Sequence, residues 1–221
     1  MPVQLDGPRL APALGGVPKQ LVIFLHGYGA DGKDLIGLGR EWAQLLPDTA
    51  FVSPNAPEML PGQFGGGGRQ WFSLQTRSES EWEEGVRKAQ PALKTFVIAE
   101  AARAQLKLSS VALVGFSQGT MMALQVGLRL PETLATIVGF SGHLAGAARL
   151  AAEIRSKPPV LLIHGSADDV IPVPAIHLAR SALAAASVPV QWQIRPGLGH
   201  GIDPEGLLAA GLFLRASFGL D

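Results

Sequence analysis

The chain has 221 residues, of which 47% are hydrophobic and 16% charged, a composition that excludes an intrinsically disordered chain. Lys and Arg together number 18, as do Asp and Glu, so the formal net charge is zero and a nucleic-acid binder or a basic membrane-surface protein is disfavoured. The chain has no cysteine, which excludes disulfides, thiolate metal sites and a cysteine nucleophile.

The sequence shows no segment typical of membrane insertion or export. The N-terminus lacks the basic start and the apolar stretch of a secretory signal. The apolar run Gly206–Leu214 is too short to cross a bilayer and is followed by Arg215. We therefore expect a cytoplasmic protein without stable membrane insertion.

Short apolar runs bounded by turn residues alternate along the chain with longer stretches of helical periodicity. The short runs are apolar on both faces, which is typical of buried strands in a parallel sheet. The predicted strands, in chain order, are an edge strand Val3–Leu5 and then Leu21–Leu25, Ala50–Ser53, Val111–Gly115, Thr136–Phe140, Val160–His164 and Val190–Ile194.

The stretches between these strands have apolar residues at helical spacing. The predicted helices are Leu35–Leu46, Ser80–Leu106, Gln118–Arg129, Ala147–Arg155, Val173–Ala185 and Pro204–Phe218. Asp34 is placed to cap the first helix, and Pro91 indicates a kink or a late start in the second. Strand and helix in alternation predict one doubly wound α/β domain over residues 1–221, with a mostly parallel sheet and helices on both faces.

Residues 54–70 are the one long irregular segment and contain the run Gly65–Gly68. A flexible surface loop and a rim of an active-site mouth are both open interpretations of it. The glycine run lacks the Gly-Lys-Ser/Thr of a phosphate-binding loop, and no dinucleotide fingerprint follows the first long strand. The histidines are scattered without metal-ligand spacing, so we expect neither a cofactor nor a metal.

The segment Gly115–Gly119 fits the pattern Gly-x-Ser-x-Gly, in which a serine sits on a sharp turn between a strand and a helix. The apolar run before it and the helical pattern after it match that context. Glycines two residues either side of Ser117 would remove steric clashes at the turn. The motif predicts Ser117 as a nucleophile, against the alternative of a serine in an ordinary turn.

An oxyanion hole is expected from two backbone N–H groups, one after the nucleophile and one in an early loop. Gln118 would supply the first of these. The sequence His26-Gly27-Tyr28-Gly29 follows the strand Leu21–Leu25, and Tyr28 would supply the second. A plain turn between strand and helix is the alternative interpretation of this loop.

The order of a catalytic triad in α/β-hydrolases is serine, acid, histidine. Of the five histidines, only His177 and His200 lie far enough beyond Ser117, and His177 falls in a helical pattern. His200 lies in a glycine-rich loop after a predicted strand, where the base is expected. Asp168 and Asp169 both follow the strand Val160–His164; the spacing from His164 favours Asp168 as the acid.

These motifs together resemble the carboxylesterase/acyl-protein thioesterase family of small α/β-hydrolases, over nearly the whole chain. The segments that carry the resemblance are Leu25–Gly32, Gly115–Gly119, His164–Pro172, Gly199-His200, Gln70–Phe72 and Ser141–Leu144. The resemblance implies an α/β-hydrolase fold without a large lid, and a homodimer. By analogy, Trp71 and Leu144 would border the acyl-binding site. His143 stands where relatives often carry a bulkier residue, and its role is left open.

The resulting hypothesis is a serine carboxylesterase that hydrolyses small esters with short- to medium-chain acyl groups through an acyl-enzyme on Ser117. An acyl thioesterase or a lysophospholipase would use the same three residues and is the first alternative. A non-catalytic binding protein on a hydrolase scaffold is the alternative from a different class. Its usual mark would be the loss of a triad member, whereas Ser117, Asp168 and His200 are all present.

Overall fold

The computed structural model of the chain describes residues 4–60 and 68–220. The strands within these ranges are β1 (Arg9–Leu10), β2 (Gln20–Leu25), β3 (Thr49–Val52), β4 (Glu58–Met59), β5 (Arg69–Gln70), β6 (Val111–Phe116), β7 (Thr136–Phe140), β8 (Val160–Gly165) and β9 (Val190–Arg195). Seven of them form one sheet in the order β1-β3-β2-β6-β7-β8-β9, in which β1 is antiparallel to β3 and every other pair is parallel. The predicted mostly parallel sheet is confirmed.

Helices connect the strands of this sheet. In the described residues they are α1 (Gly32–Ile36), α2 (Leu38–Glu41), α3 (Glu79–Arg103), α4 (Gln118–Gly127), α5 (Leu150–Glu153), α6 (Pro174–Ala185) and α7 (Pro204–Ser217), with 3₁₀ turns at Leu108–Ser110 and Ala147–Arg149.

The sheet separates two apolar cores. Along β2, Leu21, Ile23 and Leu25 pack into one core, whereas Val22 and Phe24 pack into the other, as the two-residue period of a strand requires. Helices α3, α4 and α6 contribute to the first core, and α1 and α7 to the second. Because both faces are covered, the central strands are apolar throughout.

The carboxyl ends of the parallel strands meet at one edge of the sheet. Leu25 of β2 lies opposite Gly115 of β6, and His164 of β8 lies opposite Ile194 of β9. The loops that follow these four strands therefore emerge side by side, as is usual for ligand sites of open α/β sheets.

The predicted edge strand Val3–Leu5 is wrong in position. Val3 lies outside the described residues, and Leu5 is not in a strand. The carbonyl of Asp6 accepts a hydrogen bond from Asn55, beyond the end of β3, so the chain reaches the strand itself only at Arg9 and Leu10.

The predicted helix Leu35–Leu46 is two short helices, α1 and α2, that meet at Gly37. Glycine is a poor helix former, and its presence at the junction accounts for the interruption. The cap is Asp31, whose carboxylate accepts the N–H of Lys33 at 2.7 Å; Asp34 lies in the first turn instead.

The late start at Pro91 is also wrong, because α3 begins at Glu79 and runs through the proline. Ser78 caps it by accepting the N–H of Glu81. Buried apolar residues lie on both sides of the proline, Val86 before it and Leu93 after it, and their packing offsets the roughly 3 kcal/mol that a proline in a helix interior costs.

The predicted helix Ala147–Arg155 is a 3₁₀ turn followed by the short helix α5. It ends early because the next backbone groups bond elsewhere: Ile154 is extended, and the N–H of Arg155 donates to the carbonyl of Leu128 at 2.9 Å.

The segment 54–70 contains an antiparallel ribbon, in which Glu58 of β4 pairs with Gln70 of β5. Arg69 also exchanges hydrogen bonds with the loop after β2: it accepts from the N–H of Gly29 and donates to the carbonyl of Ala30, each at 2.9 Å. Of the run Gly65–Gly68, residues 65–67 lie outside the described residues. The described part of the segment is therefore built against the sheet edge where the candidate site lies.

Candidate active site

Ser117 occupies a strained turn between β6 and α4. Its backbone angles are φ 54° and ψ −117°, a region that residues with a side chain rarely adopt. Its N–H donates to the carbonyl of Phe140 at 2.9 Å, which helps to hold the turn. A Cβ at Gly115 would overlap the backbone of Gly119 and Thr120, and one at Gly119 would overlap the carbonyl of Leu25. Both glycines of the motif are therefore sterically required.

Ser117 and His200 line the same cavity, of about 170 Å³, at the carboxyl edge of the sheet. Tyr28 and Gln118 line it as well. The remaining lining residues are Gly27, Leu74, Arg77, Trp82, Phe116, Met121, Val170 and Ile171. Most of these side chains are apolar, which suits the apolar part of an acyl or alcohol group next to a few polar groups.

The imidazole of His200 is hydrogen-bonded to a buried carboxylate. Its Nδ1 lies 2.8 Å from Oδ2 of Asp168, whose side chain is fully buried. The other carboxylate oxygen accepts the backbone N–H groups of Val170 at 3.0 Å and Ile171 at 2.8 Å. Asp169, the alternative acid, is exposed.

The pKa of the Asp168 carboxyl lies below its ordinary value. Burial raises this pKa, but the hydrogen bonds from His200, Ile171 and Val170 and the attraction of a charged His200 together lower it by more. An ionised Asp168 fixes the proton of His200 on Nδ1, which leaves Nε2 as a proton acceptor.

His164 is a second histidine beside Asp168, and sequence reasoning gave it no role. Its Nε2 lies 2.7 Å from the carbonyl of Ile171 and 3.4 Å from Oδ2 of Asp168, and its side chain is buried. Donation from Nε2 to that carbonyl ties the end of β8 to the acid loop. The four-residue spacing between His164 and Asp168 was the only sign in the sequence that these two side chains lie close together.

The loop after β2 is held by His26, which is fully buried. Its Nε2 accepts the N–H of Ala56 at 3.0 Å, so the proton lies on Nδ1 and is donated to the carbonyl of Gly27 at 2.8 Å. The carbonyl of His26 accepts the indole N–H of Trp71 at 2.9 Å. Burial lowers the pKa of His26, which is consistent with a neutral ring.

The side chain of Gln118 joins the serine turn to the segment after β5. Its Oε1 accepts the N–H of Trp71 at 2.9 Å, and its Nε2 donates to the carbonyl of Phe72 at 2.7 Å. The backbone N–H groups of Gln118 and Tyr28 have no protein acceptor among residues 4–60 and 68–220. The first residue of a helix has such a free N–H by construction.

Trp71 and Leu144 are nearly fully buried, and in the described part of the chain neither is among the residues that line the cavity. Their assignment to the acyl site stays a prediction.

The apolar lining residues Leu74 and Trp82 were missed because they belong to a segment without a recognisable motif. Phe116 and Met121 could have been found, since they flank the predicted nucleophile.

His143 packs against Trp82, with ring centroids 4.8 Å apart, and its Nε2 lies 2.6 Å from a carboxylate oxygen of Glu79. It thus links the loop after β7 to the start of α3.

Within the described ranges no group of three or more His, Asp or Glu side chains could hold a metal ion, and no helix there is long and apolar enough to cross a bilayer.

The sheet, the strained serine turn and the cavity at the carboxyl edge together define an α/β-hydrolase. The family model described as Phospholipase/Carboxylesterase matches residues 15–218, and the chain belongs to that family. The expected fold class and family are confirmed. The chain is a hydrolase of a family of esterases.

Individual relatives agree with this assignment. Esterase YpfH of Escherichia coli is 33% identical over 84% of this chain and 77% of its own length. Acyl-protein thioesterase 1 of Gibberella zeae is 28% identical over 94% of this chain and 95% of its own. The crystal structure of esterase PE8 is 45% identical, with a TM-score of 0.92, over 97% of this chain and 99% of that one.

Proposed function

We propose that the chain is a serine carboxylesterase that hydrolyses small esters of short- to medium-chain acids, with Ser117, His200 and Asp168 as its catalytic triad. The observation that carries the proposal is one cavity shared by a serine in a strained turn and a histidine hydrogen-bonded to a buried carboxylate. A cavity of about 170 Å³ matches a small substrate better than a long acyl chain.

In the proposed cycle, the Ser117 hydroxyl attacks the ester carbonyl carbon and His200 Nε2 takes its proton. The N–H groups of Tyr28 and Gln118 stabilise the oxyanion that forms on the carbonyl oxygen. The C–O bond to the alcohol then breaks, and His200 returns the proton to the leaving oxygen. Water releases the acyl group by the same steps, while Asp168 stabilises the imidazolium without taking its proton.

An acyl thioesterase or a lysophospholipase activity is the second candidate, because the same residues would serve and relatives include acyl-protein thioesterases. Turnover of an aryl ester, an acyl thioester and a lysophospholipid by the same preparation would rank them. We expect the short aryl ester to be the best substrate. A higher kcat/KM for the thioester or the lysophospholipid would reassign the substrate class and leave the triad in place.

The roles of the nucleophile and the base are tested by substitution. Ser117→Ala and His200→Ala should each lower kcat by about 10³–10⁶-fold, because each removes a reacting group from the cycle. Circular dichroism should show both variants folded, since neither residue belongs to the apolar cores. Substantial turnover by Ser117→Ala would refute the acyl-enzyme mechanism, and absence of turnover of any ester by the wild-type chain would favour a non-catalytic binding protein.

Asp168→Asn and Asp169→Asn form a matched pair for the acid. The first should cost roughly 10²–10⁴-fold in kcat, because an amide no longer fixes the tautomer of His200. The second should leave kcat within about twofold, since an exposed surface carboxylate has little influence on the site. Kinetics of a short aryl ester measure both, and a crippled Asp169→Asn with an active Asp168→Asn would reverse the assignment.

The homodimer and the acyl-site roles of Trp71 and Leu144 are proposed on the resemblance, and the cytoplasmic location stays an expectation of the sequence analysis. Light scattering of the purified chain should give twice the 23.2 kDa monomer mass. A monomer at micromolar concentration would contradict the dimer and leave the esterase proposal intact.

A further inference from the structure

One charged side chain lines a cavity whose other walls are mostly apolar. Arg77 is exposed and borders the same cavity as Ser117 and His200. Among the described lining residues it is the one with a permanent charge. It therefore lies at the open side of the cavity, within reach of a substrate that occupies it.

The loop that carries Arg77 is held in one conformation by Glu81. The carboxylate of Glu81 accepts the backbone N–H groups of Gln75 at 2.6 Å, Thr76 at 2.9 Å and Arg77 at 2.7 Å. These bonds lower the pKa of Glu81, the one from Gln75 contributing most, against an opposing effect of burial. The carboxylate is thus saturated by backbone donors, and Arg77 is held at φ 54° at the cavity rim.

The guanidinium of Arg77 has no ion-pair partner in the part of the chain that the structure describes. No carboxylate of residues 4–60 or 68–220 lies within 4.0 Å of its nitrogens, whereas Arg9, Arg87, Arg129 and Arg149 all have such partners. An arginine with five donors in a planar fork and no internal acceptor is suited to bind a carboxylate from outside.

We propose that Arg77 is a specificity-determining residue that binds a small anionic group, such as a carboxylate, on the ester substrate, at a position away from the reacting carbonyl. The inference rests on the proposed esterase function and adds the substrate class. The chain would then prefer esters in which the acyl or the alcohol part carries a negative charge over neutral esters of the same shape.

The experiment compares matched ester pairs that differ only in this charge. For the alcohol side the pair is 3-carboxyphenyl butyrate and 3-carbamoylphenyl butyrate; for the acyl side it is the monophenyl ester of adipic acid and the corresponding terminal amide. In the wild-type chain, kcat/KM should favour the charged member of at least one pair by about 5- to 20-fold, the range of a half-exposed charge-assisted hydrogen bond. The preference should appear in KM and shrink at high salt.

In Arg77→Gln the ratio of kcat/KM for the charged member to that for the neutral member should fall to about 1, and Arg77→Lys should retain part of the preference. Arg155→Gln is the matched control. Arg155 is exposed, lies between α5 and the amino end of β8, and has no ion pair with the described residues. The same loss of positive charge at this distant site should leave the preference unchanged.

The proposal is overturned if the wild-type chain shows no preference in either pair, if the preference survives Arg77→Gln, or if Arg155→Gln abolishes it equally. A loss of activity in Arg77→Gln that is the same for charged and neutral esters also contradicts it, since that result indicates a structural role. Each of these outcomes is observed only if the chain hydrolyses the neutral esters through Ser117. Failure of the Arg77 proposal is therefore distinguishable from failure of the esterase proposal.

Discussion

At the scale of single residues, His26 shows how the candidate oxyanion loop is fixed. Both ring nitrogens are used inside the protein, one by the N–H of Ala56 and the other by the carbonyl of Gly27. By binding both of these backbone groups, His26 positions the loop before Tyr28 without touching the substrate. Its contribution is therefore expected in stability and in the geometry of the loop.

His26→Ala should lower the free energy of unfolding by about 2–4 kcal/mol, because it leaves two buried backbone groups unpaired and opens a cavity. Urea denaturation at neutral pH measures this loss. His177→Ala is the control, since His177 is exposed on α6 and should cost less than about 1 kcal/mol. Equal losses in the two variants would contradict the positioning role.

The same residue predicts a pH dependence of stability. Burial lowers the pKa of folded His26; the hydrogen bond to Gly27 and the charges of Asp31 and Asp34 oppose this effect, and the net shift is downward. The unfolded chain therefore binds a proton that the folded chain does not, and stability falls as the pH drops below the ordinary histidine pKa of about 6.5. Unfolding free energies from pH 8 to 5 should decline in the wild type and decline less in His26→Ala.

The sequence allowed residues to be singled out where the signal is local. The motif around Ser117 contains both required glycines, although a Cβ at Gly115 would clash with nearby Gly119 and Thr120 and one at Gly119 would clash with the distant Leu25. Asp168 was singled out by its spacing from His164. The role of His26 was not predictable, because its partners Ala56 and Trp71 lie 30 and 45 positions away along the chain. Such contacts depend on how the segments after β2 and β5 pack together.

At the scale of elements, a charged cluster joins the edge strand β1 to the helix α3. Glu100, which is buried, binds Arg9 through two hydrogen bonds of 2.8 and 3.2 Å and also binds Arg103 at 2.7 Å. Burial raises the pKa of Glu100, but the hydrogen bonds and charges of Arg9 and Arg103 lower it by more, so the net shift is downward. The cluster therefore stabilises the docking of β1 when Glu100 is ionised.

Glu100→Gln should lower the free energy of unfolding by about 2–4 kcal/mol at pH 7, because it removes the buried carboxylate that pairs with Arg9 and Arg103. A carboxyl whose folded pKa is depressed contributes fully above its unfolded value of 4.5 and loses that contribution as the pH falls through its folded value. The difference in unfolding free energy between the variant and the wild type should therefore become smaller below about pH 4. Glu132→Gln, an exposed position, serves as the control, and a difference that is constant with pH would contradict the account.

The sequence predicted the element types well and their boundaries less well. The central strands were found because both faces are buried, which makes them continuously apolar. The break at Gly37 was missed, although glycine is a poor helix former and the signal was local. A late start of α3 at Pro91 was left open beside a kink, and the helix runs through the proline because packing outweighs its local cost.

At the scale of the whole molecule, the parallel sheet brings distant residues to one edge. Ser117 follows β6, Asp168 follows β8 and His200 follows β9, and all three carboxyl ends lie on the same side. The serine motif, the expected order of a triad along the chain and the predicted parallel strands indicated this convergence in the sequence. It could not predict the cavity, because Leu74, Arg77 and Trp82 reach it through a segment without a motif.

The proposed mechanism requires Ser117 to be a nucleophile activated by His200 and Asp168. The most direct measurement is reaction of the folded chain with a fluorophosphonate, followed by peptide mapping of the adduct by mass spectrometry. We expect stoichiometric labelling at Ser117, none in Ser117→Ala, and labelling slowed by at least about 10²-fold in His200→Ala. An unlabelled wild-type chain, or an adduct on another residue that persists in Ser117→Ala, would contradict it.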